Sequence, residues 1–156
     1  MVADVASSIN NYEFSLERMT SFEGDTGPYL QYAHARLSSI TRKAGLTAED
    51  LDSADLSLLR ESHAINLVRV LASWPDVVQQ TLKTLEPTTV LTYLFKMTHM
   101  LSSSYDHLQV VGSERELMKA RMALYEAARQ VLNNGMRLLG LNPVQRLVPE
   151  NHSPRP

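Results

Sequence analysis

No cysteine occurs among the 156 residues. Disulfides, thiolate metal sites and cysteine nucleophiles are excluded together, and the composition suits a reducing compartment. Long apolar runs are also missing: nothing approaches the roughly 20 residues needed to cross a bilayer. The start, Met1 to Asn10, holds an acid, no cation and no sustained apolar stretch, unlike a signal or transit peptide. A cytoplasmic protein without membrane contact is the expectation. His34, His63, His99, His107 and His152 are widely spaced, with no pair at a recurrent ligand spacing, so no metal is expected either. No segment of useful length alternates like a strand, and no internal repeat is visible.

What is present is 44% hydrophobic residues, enough for one self-sufficient core. With 15 basic and 17 acidic residues the net charge is −2. Bulk charge therefore does not draw the chain to nucleic acid, and no DNA partner is expected. The distribution is uneven. Residues 28–46 carry Arg36, Arg42 and Lys43 without an acid, and residues 114–146 carry six cations against Glu114, Glu116 and Glu126. The acids gather at Glu49, Asp50, Asp52, Asp55 and Glu61. Basic helix faces are commonly just solvated surface, so charge by itself decides little.

Helical spacing and its punctuation set the architecture. Gly24 to Pro28 is a turn leading into a helix over 28–44, with Leu30, Ala33, Leu37, Ile40 and Ala44 on one side and Gly45 as its stop. Thr47 and Asp50 have capping-box spacing and open a short acidic helix. Another runs from His63 to Ser73 with Ile65, Val68, Leu71 and Ala72 expected inward. Trp74-Pro75-Asp76 breaks it, and residues 76–85 form the next. Thr88 to Ser104 follows, and within it Met97 is read as core. Ser113 is the expected N-cap of the last and longest helix, about 114 to 139, with Glu116 as its box partner. The fold class expected is all-α, a single bundle of six to seven helices. Residues 148–156 carry three prolines, which predicts a disordered tail behind a domain at 1–147.

In the helix over 28–44, a spacing of three and then four puts Tyr29, Tyr32 and Arg36 on one stripe. Unpaired RNA bases are held by stacking on aromatic rings and on guanidinium planes, and a guanidinium also forks onto phosphate. The trio thus has the chemistry of an RNA-loop reader. The alternative is that the tyrosines fill half-buried boundary positions with their hydroxyls at the edge, and that Arg36 pairs with a carboxylate.

The run from Asn11 to Met19 and that from Ser21 to Leu37, which contains Gly27-Pro28-Tyr29-Leu30-Gln31-Tyr32-Ala33-His34-Ala35-Arg36, resemble the opening of the C-terminal (DALR-type) anticodon-binding domain of arginyl-tRNA synthetase. Ala120 to Leu124 and Val131 to Leu141 resemble that domain's final helix, so the likeness covers roughly residues 9–147. It implies the helical bundle of a class I synthetase anticodon-binding domain, with Tyr29, Tyr32 and Arg36 against the anticodon loop of a tRNA. Nothing in the sequence resembles the synthetase's nucleotide-binding sheet or its His-x-Gly-His signature. Lys96-Met97-Thr98-His99 is only faintly like its lysine loop and sits in an apolar helical pattern. The family usually stops near the position of Leu147, where this sequence continues for nine residues.

The absence of that catalytic machinery leads to an enzymatic expectation. Small fungal arginine-containing cyclodipeptide synthases use aminoacyl-tRNA and resemble this domain living alone. The resemblance implies a cofactor-free aminoacyltransferase that takes arginyl-tRNA, with a second aminoacyl-tRNA, and joins two already activated aminoacyl groups. His34, Ser38 and Ser39 are the catalytic candidates, because they lie beside or just after the stripe. The alternative is a non-catalytic module that binds arginine tRNA: a truncated synthetase paralogue, an accessory subunit docking on a partner synthetase, or a fragment of a full synthetase. Met1 and the unusual tail are expected to speak against a fragment.

Overall fold

A computed structural model describes residues 25–147. The expected tail and the first resemblance run, Asn11 to Met19, lie outside these residues. Within them there are six α-helices, one 3-10 turn and no strand: α1 (Gly27–Ala44), α2 (Ala48–Asp52), the turn Leu56–Leu58, α3 (Ser62–Ala72), α4 (Trp74–Thr84), α5 (Thr88–Ser104) and α6 (Arg115–Leu138). The all-α class expected from the periodicity is what the chain adopts.

The start of α1 follows from its first residues. Thr26 accepts the Tyr29 N–H at 3.3 Å, and Pro28 sits in the first turn, where a missing N–H costs nothing. Gly45 ends the helix in the left-handed region, φ 62°, with its N–H on Thr41. The Thr47/Asp50 capping box forms in both directions. At the other long helix the cap differs from expectation. Glu114, not Ser113, caps α6 by accepting the Glu116 N–H. Ser113 instead donates to the Gln109 carbonyl at 2.7 Å and accepts from Arg121 at 3.0 Å, so its hydroxyl is already engaged by the loop before the helix.

Helices α5 and α6 form the centre. Leu94, Met97 and Leu101 from α5 meet Ala128, Leu132 and Met136 from α6, all without solvent exposure. Met97 is core, as read. α1 lies along α6, and α3 and α4 pack on α5. Tyr93 ties α5 to α3 by donating to the Val70 carbonyl at 2.9 Å, and its ring packs on Trp74. The phase of α3 corrects the sequence reading. Ala64, Leu67 and Val70 face in, Leu71 is only partly covered, and Ile65, Val68 and Ala72 are exposed. Both apolar series have helical spacing, and the one chosen places small Ala64 where α3 meets the core.

The loop between α5 and α6 is locked by polar contacts. Tyr125 reaches Ser104 Oγ at 3.1 Å and donates to the Leu108 carbonyl at 3.2 Å. Arg121 pairs with Glu61 and donates to the Gln109 carbonyl, which fixes the start of α3 against the same loop. These bonds hold Tyr105 through Val111 beside α1.

Candidate nucleic-acid interface

The three stripe residues do not share one environment. Tyr29 is half-buried, with its hydroxyl 2.9 Å from Ser102 Oγ and its ring centroid 5.4 Å from that of His99, which in turn pairs with Asp25 at 2.8 Å. It joins α1 to α5. Tyr32 is 40% exposed, and Arg36 is exposed on the next turn. The Arg36 guanidinium carbon lies 3.8 Å from the centroid of the Tyr105 ring. That places a cation on an aromatic face. Tyr105 packs in turn on Tyr125, with centroids 5.6 Å apart. Burial holds the Tyr105 phenol well above its ordinary range, opposed only in part by the Arg36 charge, so it stays neutral at all physiological pH.

Two shallow clefts open on either side of Arg36. One of about 350 Å3 runs between Arg36, Lys43, Tyr105 and Val110. The other, of about 380 Å3, is bounded by Tyr32, Arg36, Arg42, Arg146 and Leu147. Ser39 lines both. Four cations thus border the clefts, and none of the lining residues is acidic. Aromatic rings beside guanidinium groups can stack bases, while the cations neutralise a phosphate path between them.

The sequence pattern does not single out Tyr105 or Arg146. Tyr105 stands at the end of α5 in a polar stretch, and only the tertiary fold brings it under Arg36. Lys43 could have been found, since Tyr32, Arg36, Ser39 and Lys43 continue one helical stripe.

The class defined by this fold and this face is an all-α bundle with a helix surface that carries aromatic rings beside cations. Within it, the chain belongs to the family of the DALR anticodon binding domain, whose family model matches residues 30–147. The chain is 61% identical over 149 residues to the cytoplasmic arginine–tRNA ligase of Saccharomyces cerevisiae, a match covering 94% of this chain and 24% of that protein. To the mitochondrial arginine–tRNA ligase of the same yeast it is 50% identical, covering 94% and 23%. Among solved structures, arginyl-tRNA synthetase from Plasmodium falciparum superposes with a TM-score of 0.78 at 28% identity, over 88% of this chain and 24% of that one. The chain therefore spans about a quarter of the length of these relatives.

These findings overturn the expectation of a cyclodipeptide synthase. The relatives are ligases, the matched family is an anticodon-binding domain, and nothing supports a second aminoacyl-tRNA. The side chains give a physical reason. His34 is 1% exposed and Ser38 is 7% exposed. The Ser38 hydroxyl donates to the His34 carbonyl at 2.9 Å, an ordinary i−4 bond of a helix serine. His34 commits its Nδ1 to the Val144 carbonyl at 2.8 Å, so that nitrogen is not free to act as a base. Ser39 reaches the clefts, with no base aligned on it by either neighbour. No helix among the described residues is long and apolar enough to cross a membrane.

Burial lowers the His34 pKa below its usual 6.5, outweighing the Val144 bond that raises it, with Arg129 adding to the depression. The unfolded chain then binds a proton that the folded chain refuses. Stability from this group is present above the unfolded value and is lost as pH falls below it. Urea melts between pH 7.5 and pH 5 should show stability declining with acid, and His34→Asn should reduce that decline. An unchanged slope in His34→Asn would assign the acid sensitivity elsewhere.

Proposed function

We propose that residues up to 147 form one RNA-binding unit that takes the anticodon arm of an arginine tRNA on the outer face of α1, in a cytoplasmic arginine–tRNA ligase setting. The observation that carries this reading is the placement of Tyr32 and Arg36, on a family-matched helix, at a cleft bordered by cations, with the Arg36 guanidinium lying on the Tyr105 ring that lines the neighbouring cleft. Tyr32 would stack on an unpaired base, Arg36 would stack or fork onto phosphate, and Arg42, Lys43 and Arg146 would follow the backbone. Amino-acid activation is not assigned to any residue of this chain.

Tyr32→Ala removes the exposed ring and should weaken binding of an arginine tRNA by about 1–3 kcal/mol. Its melting temperature should barely move, because the ring lies at the surface. Fluorescence anisotropy with labelled tRNA, run beside thermal melts, measures both. Wild-type affinity in a well-folded Tyr32→Ala protein would remove Tyr32 from the interface.

A further inference from the structure

The last described segment, residues 141–147, is not a loose end. Gly140, at φ 77°, turns the chain back from α6, and the Leu141 N–H bonds the Met136 carbonyl at 2.9 Å. The segment then runs along α1 in the same direction as the helix. Gln31 holds it from both sides of Pro143: its Nε2 donates to the Asn142 carbonyl at 3.0 Å, and its Oε1 accepts the Val144 N–H at 2.9 Å. Pro143 has no N–H to offer and favours an extended conformation in Asn142, so the amide meets a backbone already laid out for it. One turn on, His34 Nδ1 donates to the Val144 carbonyl at 2.8 Å. Arg42 Nη1 takes the Gln145 carbonyl at 3.2 Å.

The consequence appears at the next residues. Arg146 and Leu147 form the border of the cleft that contains Tyr32 and Arg36. A cation on a free segment must lose its conformational freedom when it meets a phosphate, whereas one on a pinned segment has lost most of it beforehand. Three side chains of α1, Gln31, His34 and Arg42, thus hold the segment that carries this charge from the other end of the sequence.

We propose that Gln31 and His34 are positioning residues, whose clasp on Asn142 and Val144 sets Arg146 at the cleft so that it meets an RNA phosphate together with Arg36 and Arg42. This rests on the anticodon-arm reading above and adds to it two side chains that touch no RNA.

The test uses the full chain and the anticodon stem-loop of an arginine tRNA. Gln31→Leu should weaken binding about five- to tenfold, the size expected for losing a pair of hydrogen bonds that order a contact. It should also lower the slope of log affinity against log salt by about one, as Arg146→Ala does directly. The double variant should bind no worse than Arg146→Ala alone, because Gln31 acts through Arg146. His34→Asn, whose amide nitrogen can take the place of Nδ1, should keep wild-type affinity and slope, whereas His34→Leu should lose both. Should Gln31→Leu fold poorly, Gln31→Glu replaces it: the acceptor for Val144 survives, the donor to Asn142 does not, and the slope should still fall. Unchanged affinity in folded Gln31 variants, additive losses in the double variant, or weaker binding with an unchanged salt slope would each overturn the proposal. Failure of the wild-type chain to bind the stem-loop would overturn the anticodon-arm reading itself, which separates the two failures.

Discussion

Arg36→Ala is expected to weaken binding of an arginine tRNA by about 2 kcal/mol, or about thirtyfold in Kd. The guanidinium sits between the two clefts and on the Tyr105 ring, so its removal takes away a stacking plane and a charge together. The salt dependence should flatten by about one unit of slope. Arg36→Lys separates the contributions. It retains the charge and should restore the slope, but it lacks the plane and should recover only part of the affinity. The fold should tolerate both changes, because the exposed cation–π contact is worth only about 0.5–1 kcal/mol. Wild-type affinity in Arg36→Ala would mean that the face between the clefts does not carry RNA.

The largest loss of stability is expected where Gly135 of α6 lies against Leu94 of α5. Leu94 is fully buried, and a Cβ on residue 135 would lie 2.7 Å from its Cδ2. Leu94→Ala should cost about 3–4 kcal/mol, the transfer loss plus the cavity left behind. Gly135→Ala would gain about 1 kcal/mol of helix propensity, yet it should be net destabilising by about 1 kcal/mol because Leu94 must move in a packed core. In the Leu94→Ala background the same change should become stabilising, since the new methyl enters the vacated space. Urea denaturation of the two single variants and the double one measures the coupling. Additive costs would show that the two helices do not limit each other at this point.

Much of the fold was legible because its boundaries are local. Thr47 and Asp50 form a capping box within four consecutive residues, Gly45 supplies the left-handed stop, and Pro75 and Pro87 mark helix starts. The inward face of α3 was not legible, since Ile65, Val68 and Ala72 look as apolar as Ala64, Leu67 and Val70 until the neighbouring helices are present. Ser113 failed as a cap for a similar reason. Its hydroxyl had nearer partners in Gln109 and Arg121, and periodicity contains no information about them.

The candidate site divides in the same way. Tyr32 and Arg36 belong to one helix, so spacing alone puts them together. Tyr29 has the right spacing as well, but Ser102 and His99 on α5 draw it inward. Tyr105 and Arg146 come from distant segments, and only the polar lock around Tyr125 and the clasp by Gln31 bring them to α1. His34 looks available on a helix wheel because the wheel does not reveal that Val144 lies against it, and Ser38 because the wheel does not show its bond to the His34 carbonyl. Their chemistry is spent on holding backbone.

Amide chemical-shift mapping of the isotopically labelled chain against the anticodon stem-loop of an arginine tRNA decides whether the outer face of α1 receives the anticodon arm. Shifts are expected to concentrate at Tyr32, Ala35, Arg36, Ser39, Lys43, Tyr105 and Arg146, with α3 and α4 unmoved. Shifts concentrated on the exposed surface of α3 and α4 around Ile65, Val68 and Leu82, with α1 silent, would contradict the anticodon-arm reading.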